Sequence, residues 1–310
     1  RRPLAADEPC KLYEQRCEAC PSDRRNSVLI ATPRLSRACH VIGSAQESSC
    51  FLTWPLADAA RLVTVDLSAC DDLRILGKYA FSKCASLQSF LFPPNIVAMH
   101  GNVLCGCPRL MAVDLSSCGA LQHIGRSAFS NCRSLEAVVF PPGIEQVRDF
   151  ALSQCPKLIS IDLSVCHGLR SIGRGAFSRC AALETVVFPP SVQTLYDAVL
   201  SVCPNLQAAH LRACAVLGEI GATAFSCCDR LVAVNFPPSL TTVKDRAFFN
   251  CPKLEFVDLS ACDRLRSIGD GAFGTCKALK RAVLPPDFKL PRSSSLHRLS
   301  ADDSGCCPCM

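Results

Sequence analysis

Residues near both ends of the chain have the types and spacing for metal or lipid chemistry. Cys17 and Cys20 form a Cys-x-x-Cys pair, the spacing at which two thiolates bind one Zn²⁺ ion. Cys39 and His40 could complete the ligand set, but they lack the spacing of a second pair, and we favour a cysteine-rich or disulfide-linked cap. At the other end, Cys307 is the fourth residue from the C-terminus, the frame for prenylation. Proline and cysteine replace the usual aliphatic residues of that frame, so an unmodified tail is the default.

Acidic and polar residues recur along the middle of the chain and are candidates for binding a partner. They are Asp66, Asp114, Asp162, His210, Asn235 and Asp258, with Arg212 beside His210. If the carboxylates lie on alternate strands of a parallel sheet, they are about 10 Å apart. That is too far for two of them to hold one cation, whose oxygen ligands lie at about 2.3–2.6 Å. We therefore expect no metal ion here and favour solvated residues that keep the register of the repeat.

One copy of this pattern is different. Where the other copies have Asp-Leu-Ser, this copy has His210, Leu211 and Arg212, and Asn235 replaces the valine of the next unit. The change replaces a negative position by hydrogen-bond donors, and an arginine guanidinium is suited to a carboxylate or phosphate on a partner. Simple drift of the repeat is the alternative, and the sequence leaves both interpretations open.

No further catalytic chemistry is visible in the sequence. There is no nucleophile-elbow, phosphate-loop or metalloprotease motif, and the six histidines are scattered; we therefore expect no enzyme and no cofactor. The composition, 49% hydrophobic and 19% charged, is typical of a folded protein. A net charge of +6 with 6% aromatic residues argues against nucleic-acid binding. No run of about 18 apolar residues predicts a transmembrane helix.

A period of 48 residues organises most of the chain. Asp66, Asp114 and Asp162 are spaced by 48 residues. The same spacing relates Cys84, Cys132, Cys180, Cys228 and Cys276. A strict period of this length is typical of a solenoid, in which each unit packs only on its neighbours. Because solenoids mostly present surface, the period favours a binding function.

Each period contains two units, and each unit contains the frame Leu-x-x-apolar-x-apolar. This alternation predicts a short strand with one buried face. Ten such strands are expected to begin near Leu62, Leu87, Leu110, Leu135, Leu158, Leu183, Leu206, Leu231, Leu254 and Leu279. The Ala-Phe-Ser-x-Cys segment of the first unit predicts a short helical turn with Phe and Cys facing the core. The glycine before it is expected to supply a turn; it recurs at Gly125, Gly173, Gly221 and Gly269.

Most of the 24 cysteines occupy two positions of the repeat, which predicts core packing rather than a disulfide framework. The first position holds Cys84, Cys107, Cys132, Cys155, Cys180, Cys203, Cys228, Cys251 and Cys276; the second holds Cys70, Cys118, Cys166, Cys214 and Cys262. Free cysteine packs as a small hydrophobic residue. Neighbours in the first set could approach to about 5 Å, within disulfide range, but their parallel Cα–Cβ bonds disfavour bridging, so we expect buried, reduced thiols.

Two further rows complete the expected surface. Beside the acidic row, serine is expected to alternate with proline at Pro93, Pro141, Pro189, Pro237 and Pro285 on the exposed face. Basic residues are expected in connecting segments, where a solvated outer face is the favoured interpretation. They are Arg74, Lys78, Arg126, Arg170, Arg174, Arg179, Arg264 and Arg266.

The motif Ser-Ile-Gly-x-x-Ala-Phe-x-x-Cys-x-x-Leu-x-x-Val-x-Phe-Pro resembles the BspA-type leucine-rich repeat family, from about Trp54 to Leu290. The resemblance implies an α/β solenoid: a curved array with about ten parallel strands on the concave face and short helical or irregular segments on the convex face. It also implies a non-catalytic scaffold that binds a protein partner on the concave face; a cell-surface adhesin or receptor ectodomain is the alternative. Fold alone does not fix function.

The expected organisation has three parts. Residues 1–53 form a cysteine-rich cap, residues 54–290 form the solenoid of five 48-residue double repeats, and residues 291–310 form a flexible tail that leaves the last rung poorly covered. End-to-end self-association is therefore a hypothesis. Buried reduced cysteines favour the cytoplasm, with the cell surface as the alternative, and membrane association would require lipidation at Cys307.

Overall fold

A computed structural model describes residues 27–30, 50–52, 59–290 and Leu296. The chain winds as a solenoid of parallel strands with almost no helix in the described residues. Each rung contributes one strand to a first sheet, one strand to a second sheet and one turn segment that closes the core between them. The solenoid predicted from the period is thus confirmed.

The first sheet, called the front sheet below, contains the strands predicted from the Leu-x-x-apolar-x-apolar frame. Its strands are β1 (Ser27–Ile30), β3 (Leu62–Asp66), β5 (Ser89–Leu91), β7 (Ala112–Asp114), β9 (Ala137–Val139), β11 (Ser160–Asp162), β13 (Thr185–Val187), β15 (Ala208–Ala209), β17 (Ala233–Asn235), β19 (Phe256–Asp258) and β21 (Arg281–Val283). Its hydrogen-bonded ladder is interrupted between β5 and β7 and between β9 and β11. Those strands remain neighbours, so the front sheet runs along the whole array.

A second sheet, called the back sheet, was missed by the sequence prediction. Its strands are β2 (Cys50–Leu52), β4 (Leu73–Leu76), β6 (Ala98–Met99), β8 (His123–Ile124), β10 (Gln146–Val147), β12 (Ser171–Ile172), β14 (Thr194–Leu195), β16 (Glu219–Ile220), β18 (Thr242–Val243) and β20 (Ser267–Ile268). They form one continuous ten-stranded parallel sheet. Most have two residues, too few for a period-2 pattern to be recognised.

The strands β1 and β2 lie within the segment expected to form a cap. β1 pairs in parallel with β3, and β2 pairs in parallel with β4. Each therefore extends one of the two sheets by a strand before the first rung of the 48-residue period. The domain boundaries at residues 53/54 and 290/291 stay predictions.

The Ala-Phe-Ser-x-Cys segments were expected to form short helical turns, but they are not helical. Instead, alternate N–H groups donate to the next rung: the Phe81 N–H reaches the Val103 carbonyl at 2.8 Å, and the Phe129 N–H reaches the Ala151 carbonyl at 2.8 Å. Each segment also has two residues with positive φ, spaced by four, such as Gly175 at 58° and Arg179 at 60°. The left-handed residues break the helix and turn alternate peptide groups toward neighbouring rungs.

The core is one column of side chains that runs the length of the array. Leucine and valine from both sheets meet phenylalanine from the turn segments. Phe225, Phe248 and Phe273 stack face to face on successive rungs, with centroids 5.0 and 5.2 Å apart. Each unit thus buries its apolar residues against the same positions of its neighbours, as a solenoid requires.

Glycine after the short back strand is required for space rather than for a turn. A Cβ on Gly173 would lie 2.6 Å from the Asp149 backbone nitrogen in the preceding rung, which is closer than real contacts allow. The φ angle of Gly173 is not in the left-handed region. Asp149 occupies the space that a side chain at residue 173 would need, and its Oδ1 accepts a hydrogen bond from the Arg174 N–H at 2.9 Å. Asp197 and Asp245 make the same contact in later rungs. The Gly173 carbonyl accepts the Ala176 N–H at 3.2 Å, so the glycine begins a turn as predicted, but the requirement for glycine comes from the lack of space.

Cysteines of the first set are hydrogen-bond donors as well as core residues. The Cys155 thiol donates to the Phe129 carbonyl at 3.3 Å, and the Cys203 thiol donates to the Phe177 carbonyl at 3.3 Å. These carbonyls belong to the phenylalanine of the preceding turn segment. Burial raises the pKa of the Cys180 thiol to about 12, so at neutral pH it keeps its proton and can donate. Cysteine thus packs as a small apolar residue and also satisfies a buried carbonyl.

The last rung is better covered than the sequence suggested. Leu296 has an exposed fraction of only 1% and belongs to the core cluster. Leu284, Phe288 and Leu290 are partly buried against the same cluster. Residues after the last strand therefore contribute apolar side chains to the end of the column.

Candidate functional site

Five candidate binding residues of the acidic row, Asp66, Asp114, Asp162, Asn235 and Asp258, end front strands, and the sixth, His210, directly follows β15. Asp114, Asp162 and Asp258 end β7, β11 and β19, and all three are exposed. Registers place them directly beside valine or asparagine of the next strand, as in the pair Asp162–Val187. Asp66 and Asn235 occupy the same position in their own strands. The structure thus places the row on one surface, as predicted, and does not by itself make it a binding site.

Each aspartate of this row also shapes the turn that follows its strand. Oδ1 of Asp162 accepts a hydrogen bond from the Ser164 N–H at 2.9 Å, and the same 2.9 Å bond joins Asp114 to Ser116. An aspartate that accepts from the backbone two residues later forms an Asx turn. Hydrogen bonds from Ser164 lower the pKa of the Asp162 carboxyl below its ordinary value. The bond from the Ser164 side chain has the larger effect, and the bond from its backbone N–H has the smaller one. These contacts support the interpretation that the aspartates keep the register.

The lowered pKa of Asp162 predicts a pH-dependent contribution to stability. The unfolded chain takes up the proton at a higher pH than the folded chain does, so the contribution is full above the unfolded pKa of about 3.9 and is lost as pH falls through the folded value. Asp162→Asn keeps the oxygen acceptor but cannot titrate. We expect wild type to exceed Asp162→Asn in the free energy of unfolding by less than about 1 kcal/mol at pH 7, because the site is exposed and screened.

Urea unfolding at pH 7 and at pH 3 measures this difference. The wild-type advantage should shrink at pH 3, while Asp229→Asn, at an exposed aspartate outside the row, should show a smaller change. Parallel pH profiles for wild type and Asp162→Asn would contradict the assignment.

The copy of the repeat that contains His210 and Arg212 differs from the other copies in its local structure. β15 ends at Ala209, and His210 leads into a 3-10 turn, Leu211–Ala213, without a side-chain cap. Sibling rungs have the Asx turn there, because they have aspartate in place of His210. Both His210 and Arg212 are exposed. The substitution therefore changes both the charge and the backbone at this point of the front sheet.

Apolar residues on the same face were not singled out by the sequence prediction. Twelve large hydrophobic side chains are exposed in the described residues. Four lie in front strands, at Leu91, Val139, Val187 and Phe256, and three directly precede a front strand, at Met111, Ile159 and Val232. Between β7 and β13 they alternate with acids. Met111 and Ile159 share one column with Glu136 and Glu184, and Val139 and Val187 share another with Asp114 and Asp162. The signal was present in the 48-residue period, because each unit places its apolar residue where the other has an acid.

Small side chains lie between these two columns. Ala112 pairs with Ala137, and Ser160 pairs with Thr185. The middle of the front sheet is therefore low and flat, with apolar and acidic side chains along both margins. Such a surface can receive an extended chain or a protruding element of a partner.

Other expected surface features are placed differently or lie outside the described residues. Pro93, Pro141 and Pro189 are buried rather than exposed, and the Pro141 carbonyl accepts the Cys166 thiol at 3.4 Å. The zinc candidates Cys17, Cys20, Cys39 and His40, and the lipidation candidate Cys307, lie outside the described residues. Within those that are described, no group of three or more His, Cys, Asp or Glu side chains could hold a metal ion. Nor is any described helix long and apolar enough to cross a membrane.

Comparisons with solved structures agree with this architecture. A leucine-rich repeat protein from Eubacterium ventriosum is 18% identical, with a TM-score of 0.55 over 76% of this chain and 73% of that one. A leucine-rich repeat protein of T. pallidum is 28% identical, with a TM-score of 0.45 over 66% of this chain and 82% of that one. One from Bacteroides ovatus is 21% identical, with a TM-score of 0.37 over 73% and 79%. No match is found among curated protein sequences.

The sequence itself matches a known family. The family described as BspA type leucine-rich repeat region matches in six copies, over residues 60–165, 113–215, 163–280 and 215–299. These ranges cover more than half of the chain and coincide with the front and back sheets. This chain therefore belongs to the BspA-type leucine-rich repeat family.

Proposed function

We propose that this protein is a non-catalytic scaffold that binds a protein partner on the front sheet, the face predicted to be concave. The observation that carries the proposal is the concentration of exposed large hydrophobic side chains there: of the twelve among the described residues, four lie in front strands and three directly precede one. Apolar surface concentrated on one face marks interaction sites in soluble proteins. The inert character of the buried thiols supports the non-catalytic part, because burial raises the pKa of Cys132 and Cys228 to about 12.

The margins of the surface define the chemistry of the partner. Asp114, Glu136, Asp162 and Glu184 are exposed beside the apolar residues. Lys157 lies 3.8 Å from Glu136, but an exposed pair of this kind is worth little. The surface thus fits a protein segment that combines apolar side chains with lysine or arginine, since opposite charges steer encounter and fix the register.

The rung at His210 and Arg212 is proposed as a second point of contact. Its exposed guanidinium is suited to a carboxylate of the partner, and it lies on the same face, beyond the acidic stretch. The proposed partner therefore spans the sheet with its basic segment over β7–β13 and an acidic group near Arg212.

Replacing two exposed valines tests the proposal. Val139→Ser/Val187→Ser removes apolar surface at the centre of the face. Because these side chains are 49% and 38% exposed, covering the exposed part contributes about 0.6–1.5 kcal/mol for each valine, a fraction of the value for complete burial. We expect at least roughly tenfold weaker capture of the partner from native extract by this variant than by wild type. The captured protein is identified by mass spectrometry, and its Kd is then measured with the purified components.

The matched control is Val165→Ser/Val216→Ser. These valines are exposed to a similar degree, 46% and 50%, but lie outside both sheets. Equal loss in both variants, or no loss in either, contradicts binding through the front sheet. The variant His210→Asp/Arg212→Ser restores the sequence of the other copies and tests the second contact. Weaker capture of the partner by this variant supports that contact. Unchanged capture shows that the sequence of this rung is drift of the repeat.

We propose the cytoplasm as the compartment of this scaffold, with the cell surface as the alternative. The buried cysteines of the described residues, among them Cys155, Cys180 and Cys203, are thiols that donate hydrogen bonds. Proteins that depend on many reduced cysteines suit a reducing compartment.

A further inference from the structure

Basic side chains form a stripe on the back sheet, opposite the acidic front sheet. Exposed basic side chains occupy the first or second position after β4, β6, β8, β10 and β12: Lys78, His100, Arg126, Arg148 and Arg174. The strand registers place Lys78, Arg126 and Arg174 in one column and His100 and Arg148 in the column beside it. They supply one basic side chain for each of five successive rungs. Neighbouring strands are about 4.8 Å apart, so the stripe extends about 19 Å along the array. Sequence reasoning placed Lys78, Arg126 and Arg174 in connecting segments, and only the back sheet shows that they share a row.

The stripe keeps most of its charge. The ion pairs of the described residues involve other lysines, namely Lys157, Lys244 and Lys280. Two acids adjoin the stripe. Oδ1 of Asp149 accepts the Arg174 N–H at 2.9 Å, and Asp197, which the register places beside Arg174 on the next rung, accepts the Ala222 N–H at 2.8 Å. Four permanent cations therefore face two carboxylates, each of which already has a backbone partner.

The later rungs of the same sheet provide an internal comparison. Lys244 occupies the position of Arg148 two periods later, and there Glu219 neutralises it at 2.6 Å. Asp197 and Asp270 lie beside the corresponding strands β14 and β20. At the positions that follow the back strands, unneutralised positive charge is therefore concentrated in the rungs of β4 to β12.

The side chains of the stripe interact electrostatically with one another. Burial has the largest effect on the pKa of His100 and lowers it below its ordinary value. The positive charges of Lys78 and Arg148 lower it further. Like charges in a row repel, and this repulsion is relieved when an anion lies along them. Arg126 is in addition held over the Phe150 ring, with its guanidinium carbon 5.7 Å from the centroid, which fixes one member of the row.

We propose that this stripe, Lys78 to Arg174 on the back sheet, binds an acidic polysaccharide that lies along the solenoid axis. Its basic side chains, one on each of five rungs and staggered over two adjacent columns, match a linear polymer that carries anionic groups at intervals. Guanidinium groups pair with sulfate or carboxylate oxygens through two parallel hydrogen bonds. The proposal is independent of the front sheet, so a protein partner and a polysaccharide could be bound together.

The observations favour a polysaccharide over a nucleic acid. Proteins that bind single strands combine a basic groove with aromatic side chains on which the bases stack. None of the five positions of the stripe has Phe, Tyr or Trp. Two rings adjoin it: Phe150 lies beneath Arg126, and Tyr79, which is 47% exposed, is next to Lys78 at one end. A line of cations with one exposed ring at its end is suited to a polymer whose recognition depends on its charge rather than on stacking of successive bases.

Fluorescence-detected titration of the full chain with heparin, and separately with polygalacturonate, tests the proposal and distinguishes sulfate from carboxylate. The variant Arg126→Gln/Arg148→Gln/Arg174→Gln should bind roughly tenfold or more weakly at about 0.1 M NaCl. The slope of log affinity against log salt should fall by about two to three, because three cation contacts are lost. Circular dichroism confirms that the variant is folded.

The control variant is Lys253→Gln/Arg264→Gln/Arg266→Gln, which removes the same charge from exposed positions of the later rungs. Selective loss in the first variant supports the stripe. Equal loss in both variants shows attraction by net charge alone and overturns the proposal, as does the absence of binding by wild type. Tighter binding of poly(dT) than of either polysaccharide, through the same arginines, would replace the polysaccharide by a nucleic acid.

Discussion

Gly221→Ala is expected to destabilise the protein by about 3 kcal/mol or more, because the added methyl group has no space. Its Cβ would lie 2.5 Å from the Asp197 nitrogen and 2.5 Å from the Tyr196 carbonyl carbon. Both atoms belong to the backbone of the preceding rung, which cannot move aside as a flexible side chain could.

The same close approach holds two inter-rung hydrogen bonds. The Gly221 N–H donates to the Leu195 carbonyl at 2.8 Å, and the Ala222 N–H donates to Oδ1 of Asp197 at 2.8 Å. Separating the rungs to admit a methyl group would lengthen both, at about 0.5–1.5 kcal/mol each. Since each unit of a solenoid is stabilised by its neighbours, we also expect the rungs on either side of residue 221 to lose cooperativity.

Equilibrium urea unfolding measures this loss, and Gly119→Ala is the matched control. A Cβ on Gly119 meets nothing within 4 Å, and its φ is not in the left-handed region. We expect that control to change the free energy of unfolding by less than about 0.5–1 kcal/mol. Similar midpoints for Gly221→Ala and wild type would show that the rungs are not in close contact there.

Phe177→Ala is expected to cost about 3–5 kcal/mol, the range for removing a fully buried phenylalanine. Phe177 has an exposed fraction of 0% and lies on the turn segment between the two sheets. Its backbone keeps its bonds in the variant: the N–H to the Val199 carbonyl at 2.9 Å and the carbonyl to the Cys203 thiol at 3.3 Å. The cost therefore comes from the lost burial and the cavity between neighbouring rungs.

Two further variants separate packing from other causes. Leucine occupies the same position of the neighbouring rungs, at Leu152 and Leu200, both fully buried, so Phe177→Leu should cost less than about 1.5 kcal/mol. Phe256 is 41% exposed on the front sheet, and Phe256→Ala should cost below about 1 kcal/mol. Thermal and urea unfolding of the three variants should give this order, and equal losses for Phe177→Ala and Phe256→Ala would contradict the placement of the core.

The glycine and cysteine positions show which contacts could not be predicted from the sequence. Gly173 was interpreted as a turn residue because glycine usually marks turns, but its role depends on Asp149, which is 24 residues earlier and directly beneath it. Cys155 was correctly placed in the core, yet its bond to the Phe129 carbonyl could not be foreseen. Both contacts join residues that become neighbours only when one rung is stacked on the next.

The sequence by itself determined the period, the ten front strands and which positions within those strands face inward or outward. It could do so because each rung buries the same positions, and a short strand with alternating apolar residues has only one way to face the core. The acidic row followed from that alternation, and the structure shows Asp114, Asp162 and Asp258 exposed and Asp66 partly buried. The prolines just beyond the strands, expected on the exposed face, are buried.

Only the tertiary structure decided how the surfaces are divided. The back sheet is built of mostly two-residue strands, and such strands exist through their bonds to neighbouring rungs rather than through a local pattern. Once the rungs are stacked, Lys78, Arg126 and Arg174 come into line with His100 and Arg148 on the back sheet, while acids and valines alternate on the front sheet. Residues about 23–25 positions apart become neighbours in this way, and a period in the sequence specifies that stacking without showing which side chains share a face.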